Sequence, residues 1–328
     1  MVMAMMSYLA IITALFYLPL ELIMDKALLL LLLGLSSTLS IARAEIPQPL
    51  VDTQWLVENQ ASVIILDARK ETGAFADGHI SGAILVDVTT IRVEREINGK
   101  NLINMRPDAA GFQRFMRAHG VNNDSVVVIT HPGDKPGQVA GAARLYWHFK
   151  YYGFDQVALL DGGNRAWITE LEDLVTDTEP TATGDYQVGS KHPELLATMN
   201  QVQQALADDS TTLIDTRVYR YHVGLEKKDY VFAYGHIPGS RSLPYKFLTP
   251  AKGNTRYLDR DTLVKLFDSL RIDMDDRLIL YCNSAYECAS VWFVMHEILG
   301  KQDVRVYDGS LHQWTQYEFN PMTTRLSD

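Results

Sequence analysis

The sequence predicts an α/β fold built twice: two units in tandem, each a mainly parallel sheet flanked by helices, behind an N-terminal hydrophobic segment. Three observations predict it. The stretch VIILDARKETGAFADGHISGAILVDV (63–88) matches TLIDTRVYRYHVGLEKKDYVFAYGHIPGSRSLPY (212–245), each reading as an apolar strand, Asp-x-Arg, a variable stretch, Gly-His-Ile and a second strand. The stretch from Ser125 to Trp167 matches that from Arg277 to Trp314, each reading as strand, loop, helix, strand, Asp-Gly and tryptophan. Short, continuous apolar runs alternate with helical patterns such as FQRFMRAHG (112–120) and DTLVKLFDSL (261–270), as expected for parallel strands buried on both faces.

Taken in order, residues 1–44 read as a leader. An apolar run from Tyr8 to Leu20 is followed by Met24-Asp25-Lys26, a second apolar run from Ala27 to Leu35, and Ala42-Arg43-Ala44. From Met24 onward this is a short charged start, a hydrophobic stretch and a small-x-small cleavage site, the pattern of a secretory signal. Neither run reaches the ~18–20 residues that span a bilayer. The expectation is translation from Met24, cleavage after Ala44 and a periplasmic or secreted product that is not held at a membrane; an uncleaved anchor is the competing expectation. The first unit then occupies 45–174. A polar stretch with one proline and one glycine, Val175 to Gly184, opens a linker over 175–190, and the second unit runs over 191–328. A net charge of −10 with 21% charged residues argues against nucleic acid as a partner. The two cysteines, Cys282 and Cys288, are too few for a disulfide scaffold and point to chemistry or to a redox-sensitive pair.

Reactive groups in open α/β sheets sit at the carboxyl ends of strands. The segment LILYCNSAYECAS (278–290) puts Cys282 at such an end, and His131 takes that place in the first unit. After Cys282 come Asn283, Ser284, Ala285, Tyr286, Glu287 and Cys288, and then an apolar helical pattern. Their backbone N–H groups, turned inward above a helix start, would favour an anion and so a thiolate, with the sulfur open to solvent between the two halves. Cys288 reads as a half-buried residue of the first helical turn. Ala285 stands where a tight loop calls for glycine. Asp67 and Asp215 read as buried partners of Arg69 and Arg217, and His79 and His236 as structural turn histidines.

These residues resemble the tandem rhodanese-domain sulfurtransferases, the thiosulfate and 3-mercaptopyruvate family, over about residues 50 to 318. The carriers are Asp67/Arg69 and Asp215/Arg217, GHISGA and GHIPGS, Asp161-Gly162 to Trp167, Asp308-Gly309 to Trp314, and the loop from Cys282, in the same order twice. The resemblance implies an inactive first module with His131 in place of cysteine, and a catalytic second module in which Cys282 takes sulfur from an anionic donor as a persulfide and yields it to cyanide or a thiol. It implies ping-pong kinetics, no metal, no organic cofactor, a monomer and structural roles for Asp215, Arg217, His236 and Asp308. The mercaptopyruvate branch implies a relay of Ser284, His79 and Asp67.

The loop departs from the family's usual versions. It lacks the basic residues common in thiosulfate users and the Gly-Ser-Gly of mercaptopyruvate users, and Glu287 would disfavour a doubly charged donor unless it points away. Tyr221 occupies the place of an expected substrate arginine, leaving Arg220, Lys227 and Lys228 as candidate donor-binding residues. Two other functions stay open: a non-catalytic binding module, and a thiol–disulfide protein using Cys282 and Cys288. A cysteine phosphatase is excluded, because such a loop needs arginine where Cys288 stands.

Overall fold

The computed structural model describes residues 44–171, 173–208 and 210–326. The expected leader, with its start at Met24, lies outside the described residues. The first module holds strands β1 (Leu50–Val51), β2 (Ile64–Arg69), β3 (Ile84–Asp87), β4 (Val93–Ile97), β5 (Lys100–Met105), β6 (Val127–Thr130) and β7 (Val157–Leu160). Its helices are α1 (Thr53–Asn59), α2 (Ala109–Ala118), α3 (Pro136–Tyr151) and α4 (Gly163–Glu170). The second module holds β8 (Leu196–Ala197), β9 (Thr211–Asp215), β10 (Arg241–Ser242), β11 (Arg277–Tyr281) and β12 (Val304–Tyr307), with α5 (Met199–Ala205), α6 (Tyr219–His222), α7 (Arg260–Ser269), α8 (Glu287–Trp292) and α9 (Ser310–Trp314).

Each module has a five-stranded parallel sheet, in the orders β1-β7-β6-β2-β3 and β8-β12-β11-β9-β10. The two orders are identical once strands are matched by the repeat, with β6 corresponding to β11. Val127, Val128 and Ile129 in β6 and Leu278 and Leu280 in β11 are fully buried, as strands covered on both faces require. Helices α2 and α7 start where an aspartate caps them: Asp108 accepts from the Gly111 amide at 2.7 Å, and Asp259 from the Thr262 amide at 3.0 Å.

The two modules do not pack as separate globules. One apolar core runs from Val86 and Phe112 of the first to Trp292 and Phe293 of the second, with α3 laid against α8. A buried ion pair joins Arg144 of α3 to Asp308, which also accepts from the Arg106 amide at 3.0 Å. Asp161 accepts from the Tyr257 amide at 3.0 Å, again across the seam.

One element has no counterpart among the described residues of the second module. β4 and β5 form an antiparallel hairpin that turns on Asn98 and Gly99, both at positive φ, the conformation that suits a two-residue turn between twisted strands. The hairpin reaches the second module, where the Ile103 amide donates to His312 Nε2 at 3.1 Å. The polar stretch expected as a linker is strapped to the first module: Val175 and His79 exchange backbone bonds of 2.9 and 3.0 Å, and Arg117 Nε donates to the Tyr186 carbonyl at 2.8 Å. The second module repeats the device with His236 and Thr323. Among the described residues no helix is long and apolar enough to cross a membrane.

Candidate active site

Cys282 follows directly on β11, the central strand of its sheet, and the loop Asn283–Tyr286 leads from it into α8. The loop is shaped by its neighbour Ser310. Ser310 Oγ accepts from the Cys282 amide at 3.2 Å and the Ala285 amide at 3.1 Å, and donates to the Tyr307 carbonyl at 2.8 Å. Both Ala285 and Ser310 have positive φ, 57° and 47°. That conformation costs a residue with a Cβ roughly 1–2 kcal/mol. The first module has glycine at the position of Ser310, where Gly163 lies against His131 with φ 59°. The second module accepts strain at Ser310 and gains a hydroxyl that ties both ends of the loop.

Cys282 is fully buried within the main core, and so is Cys288; both are free thiols. The expectation of a sulfur open to solvent is therefore corrected, as is that of a half-buried Cys288. The cause is the first module, whose α3 packs over α8 and closes the back of the loop. Burial pushes the Cys288 thiol well up, and contact with Cys282 pushes it in the same direction. Cys288 is thus held as a neutral thiol beside the Cys282 sulfur.

Above the loop lies a cleft of about 310 Å³ shared by both modules. Ser284, Tyr286 and Glu287 line it from the second module together with Lys228 and Tyr230, and Arg92 lines it from the first together with Arg69, Lys70, Glu71 and Lys135 among others. Cys282 does not line it, so the side chains of its own loop form the floor. Tyr230 stands beside Ser284, and burial raises its phenol to about 12. Tyr286 is fixed at two points. The Arg92 guanidinium lies over its ring at 4.8 Å, and its hydroxyl sits where a Cβ on Gly141 of α3 would fall, 2.3 Å away.

The other expected residues are distributed as follows. Lys228 lines the cleft and stands 5.9 Å from the ring of Tyr221. Arg220 turns into solvent and pairs with Glu226 at 2.6 Å, and Lys227 stands over Tyr234 at 5.6 Å; neither lines the cleft. Glu287 faces the cleft, the orientation that opposes a doubly charged donor. The relay of Ser284, His79 and Asp67 is not assembled. His79 has one ring nitrogen 2.9 Å from the Phe75 carbonyl and the other 3.0 Å from the Asp177 carbonyl, which leaves neither for Asp67 or Ser284. Asp67 is occupied by Arg69 and by the Asn164 amide at 2.8 Å. The physical reason is the strap: the chain leaving the first module closes over His79.

Asp215 and Arg217 form a buried pair with His222 as a third member, 3.0 Å from Asp215 Oδ2. Burial alone would raise Asp215; Arg217 and His222 hold it below the usual carboxylate range. His236 stacks on His222 at 3.8 Å and contacts its carbonyl at 2.7 Å. His131 is buried with both ring nitrogens unpartnered, and burial drives it down to about 3, so it is a neutral ring filling the space of a cysteine. Among the described residues no group of three or more His, Cys, Asp and Glu is arranged to hold a metal.

Sequence reasoning missed Arg92, Tyr230, Gly141 and Ser310. Only Ser310 left a legible mark, as the replacement of the second glycine in Asp161-Gly162-Gly163 by serine in Asp308-Gly309-Ser310.

Comparison with known proteins places this geometry. A model of the rhodanese-like domain matches residues 52–170 and 198–317. The sulfur carrier protein TtuD of Thermus thermophilus is 28% identical over 279 residues, which is 82% of this chain and 94% of that protein. A protein of Saccharopolyspora erythraea, provisionally named a thiosulfate sulfurtransferase, is 28% identical over 277 residues, 82% and 92% of the two chains. Among solved structures, the anaerobic ergothioneine biosynthesis enzyme of Chlorobium limicola has a TM-score of 0.72 at 21% identity, covering 84% of this chain and 70% of that one.

Proposed function

This chain belongs to the rhodanese-like domain family, as two modules in tandem, and on that premise we propose that it is a sulfurtransferase in which Cys282 carries a sulfane sulfur from an anionic donor to a thiophilic acceptor. One observation carries the reading: of the two matched loops, the one that keeps a cysteine after its central strand is also the one anchored by Ser310 beneath a cleft. The loop after His131 has neither a thiol nor such an anchor.

The Cys282 thiolate attacks the outer sulfur of the donor, the remainder leaves, and the persulfide passes its terminal sulfur to cyanide or a thiol. The buried setting protects a persulfide from water between the two half-reactions. It also requires the floor of the cleft to part for the donor, and the contact between Tyr230 and Ser284 is the one that would open. Glu287 on the cleft wall favours a singly charged donor such as 3-mercaptopyruvate over thiosulfate. The name of the Thermus relative, a sulfur carrier, and a cysteine persulfide in a solved structure of the similar protein EanB support a carried sulfur. Export behind a leader cleaved after Ala44 and a monomeric state belong to the same proposal.

Donor-by-donor kinetics test it. Parallel double-reciprocal lines with cyanide and one of thiosulfate, 3-mercaptopyruvate or polysulfide are expected, with Cys282→Ser inactive. Cys288→Ser should keep most of the activity and resist oxidative inactivation. Complete loss in Cys288→Ser would favour a dithiol mechanism, to which the contact between the two sulfurs gives some support.

A further inference from the structure

Arg92 is a cation with no anion. It lies between β3 and β4 in the first module, yet its side chain reaches the cleft above the second module's cysteine. Its Nε is buried without a hydrogen-bond partner. Among the described residues no carboxylate forms an ion pair with it; the other cation buried nearby, Arg144, has Asp308. It lies over the face of Tyr286 at 4.8 Å. A partly desolvated guanidinium is costly unless paired, and it cannot shed its proton within the working pH range. Burial and Arg144 act against its charge, whereas Tyr286, Tyr230 and Cys282 act for it. The cleft above the loop of Cys282 thus holds an unspent planar fork, in a geometry that lysine cannot reproduce.

We propose that Arg92 is the donor-binding residue of this site: the first module, which lacks a nucleophile, supplies the guanidinium that holds the carboxylate or sulfonate end of the sulfur donor while Cys282 takes its sulfur. The proposal rests on the sulfurtransferase reading and names the residue that selects an anionic donor. In the step, a bond forms between the Cys282 sulfur and the outer sulfur as the bond from that sulfur to the rest of the donor breaks. The electron pair leaves with the remainder. From thiosulfate this is sulfite. From 3-mercaptopyruvate it is the enolate of pyruvate, which takes the proton of the transferred S–H. In both cases the persulfide keeps one negative charge, and the anionic group on Arg92 departs with the leaving group.

The test uses the full chain and the variants Arg92→Met and Arg92→Lys, with thermal melting of each as a control; Arg92→Lys keeps a cation over Tyr286. Ping-pong kinetics give kcat/KM separately for the donor, thiosulfate or 3-mercaptopyruvate, and for cyanide. Calorimetry with pyruvate, an unreactive anion, reads binding directly. Arg92→Met is expected to lower donor kcat/KM by about 30- to 100-fold, as for a lost charged hydrogen-bonding partner, with a smaller loss in Arg92→Lys, less than about 3-fold change for cyanide, and loss of pyruvate binding. The donor whose kcat/KM falls identifies the anionic group held. Equal losses for donor and cyanide would overturn the proposal by placing Arg92 at the sulfur, and no loss for either would overturn it outright. If the wild type takes sulfur from neither of these donors nor from polysulfide, the sulfurtransferase reading fails and pyruvate binding decides alone. Binding abolished by Arg92→Met upholds an anion site, and binding that is absent or insensitive to the variant sinks it.

Discussion

Ser310 is the residue that most clearly separates the two loops. Its positive φ and its three hydrogen bonds oppose each other energetically, and substitution resolves the two. Ser310→Ala keeps the strain and leaves the Cys282 and Ala285 amides without their acceptor, so it should destabilise the protein by about 1–3 kcal/mol. Ser310→Gly also removes the acceptor but relieves roughly 1–2 kcal/mol of strain, so it should melt close to wild type. Both variants should lose turnover, since the loop that presents the sulfur is no longer tied. Urea denaturation with steady-state rates checks this; equal stabilities for the two variants would show that no strain is held at this position.

Among the elements, α3 and the β4–β5 hairpin explain how a module without a nucleophile shapes the site. Gly141 on α3 leaves a notch for the Tyr286 hydroxyl, and the hairpin follows directly on Arg92. Gly141→Ala forces Tyr286 off its seat, with an expected cost of about 1–3 kcal/mol and about a tenfold loss of donor kcat/KM. Tyr286→Phe removes the atom that clashes, so the double variant should recover much of both; a double-mutant cycle reads the coupling, and additive losses would mean that the notch holds something else. Much at this scale was legible in the sequence. The matched halves specified two parallel sheets, and FQRFMRAHG and DTLVKLFDSL lie on helices Ala109–Ala118 and Arg260–Ser269. The hairpin was not legible, because VEREI and KNLINM are polar and short and no second copy supports them. The relay misled for a related reason: motif spacing places His79 and Asp67 in their own module but says nothing of the strap that occupies both His79 nitrogens. Nor does spacing show that a helix of the first module packs over the helix that follows Cys282.

At the scale of the molecule, the seam between modules is the site's frame, and it titrates. Burial raises Asp161 to about 6, against the Tyr257 amide and Arg256, which act to lower it. A carboxyl raised in the folded state contributes fully below its unfolded pKa of about 4, and that contribution is lost as pH rises through about 6, on the order of 3 kcal/mol in all. Asp161→Asn keeps an acceptor for the Tyr257 amide but does not titrate. The difference in melting temperature between wild type and Asp161→Asn should therefore shift in favour of the variant from pH 4 to pH 7. A constant difference would show that Asp161 does not change its protonation on this seam. Buried His131, driven down to about 3, works in the opposite sense: its contribution is present above about pH 6.5 and lost as pH falls. For that reason the difference, and not the raw curve, is the measurement.

The central claim is that the sulfur of Cys282, though buried, is the atom that carries the transferred sulfur. Peptide mass spectrometry under non-reducing conditions, after incubation of the full chain with thiosulfate, 3-mercaptopyruvate or polysulfide, addresses it directly. The account predicts a gain of about 32 Da, one sulfur, on Cys282, removed by cyanide and absent in Cys282→Ser. No adduct from any of the three donors, or an adduct confined to Cys288, would contradict it.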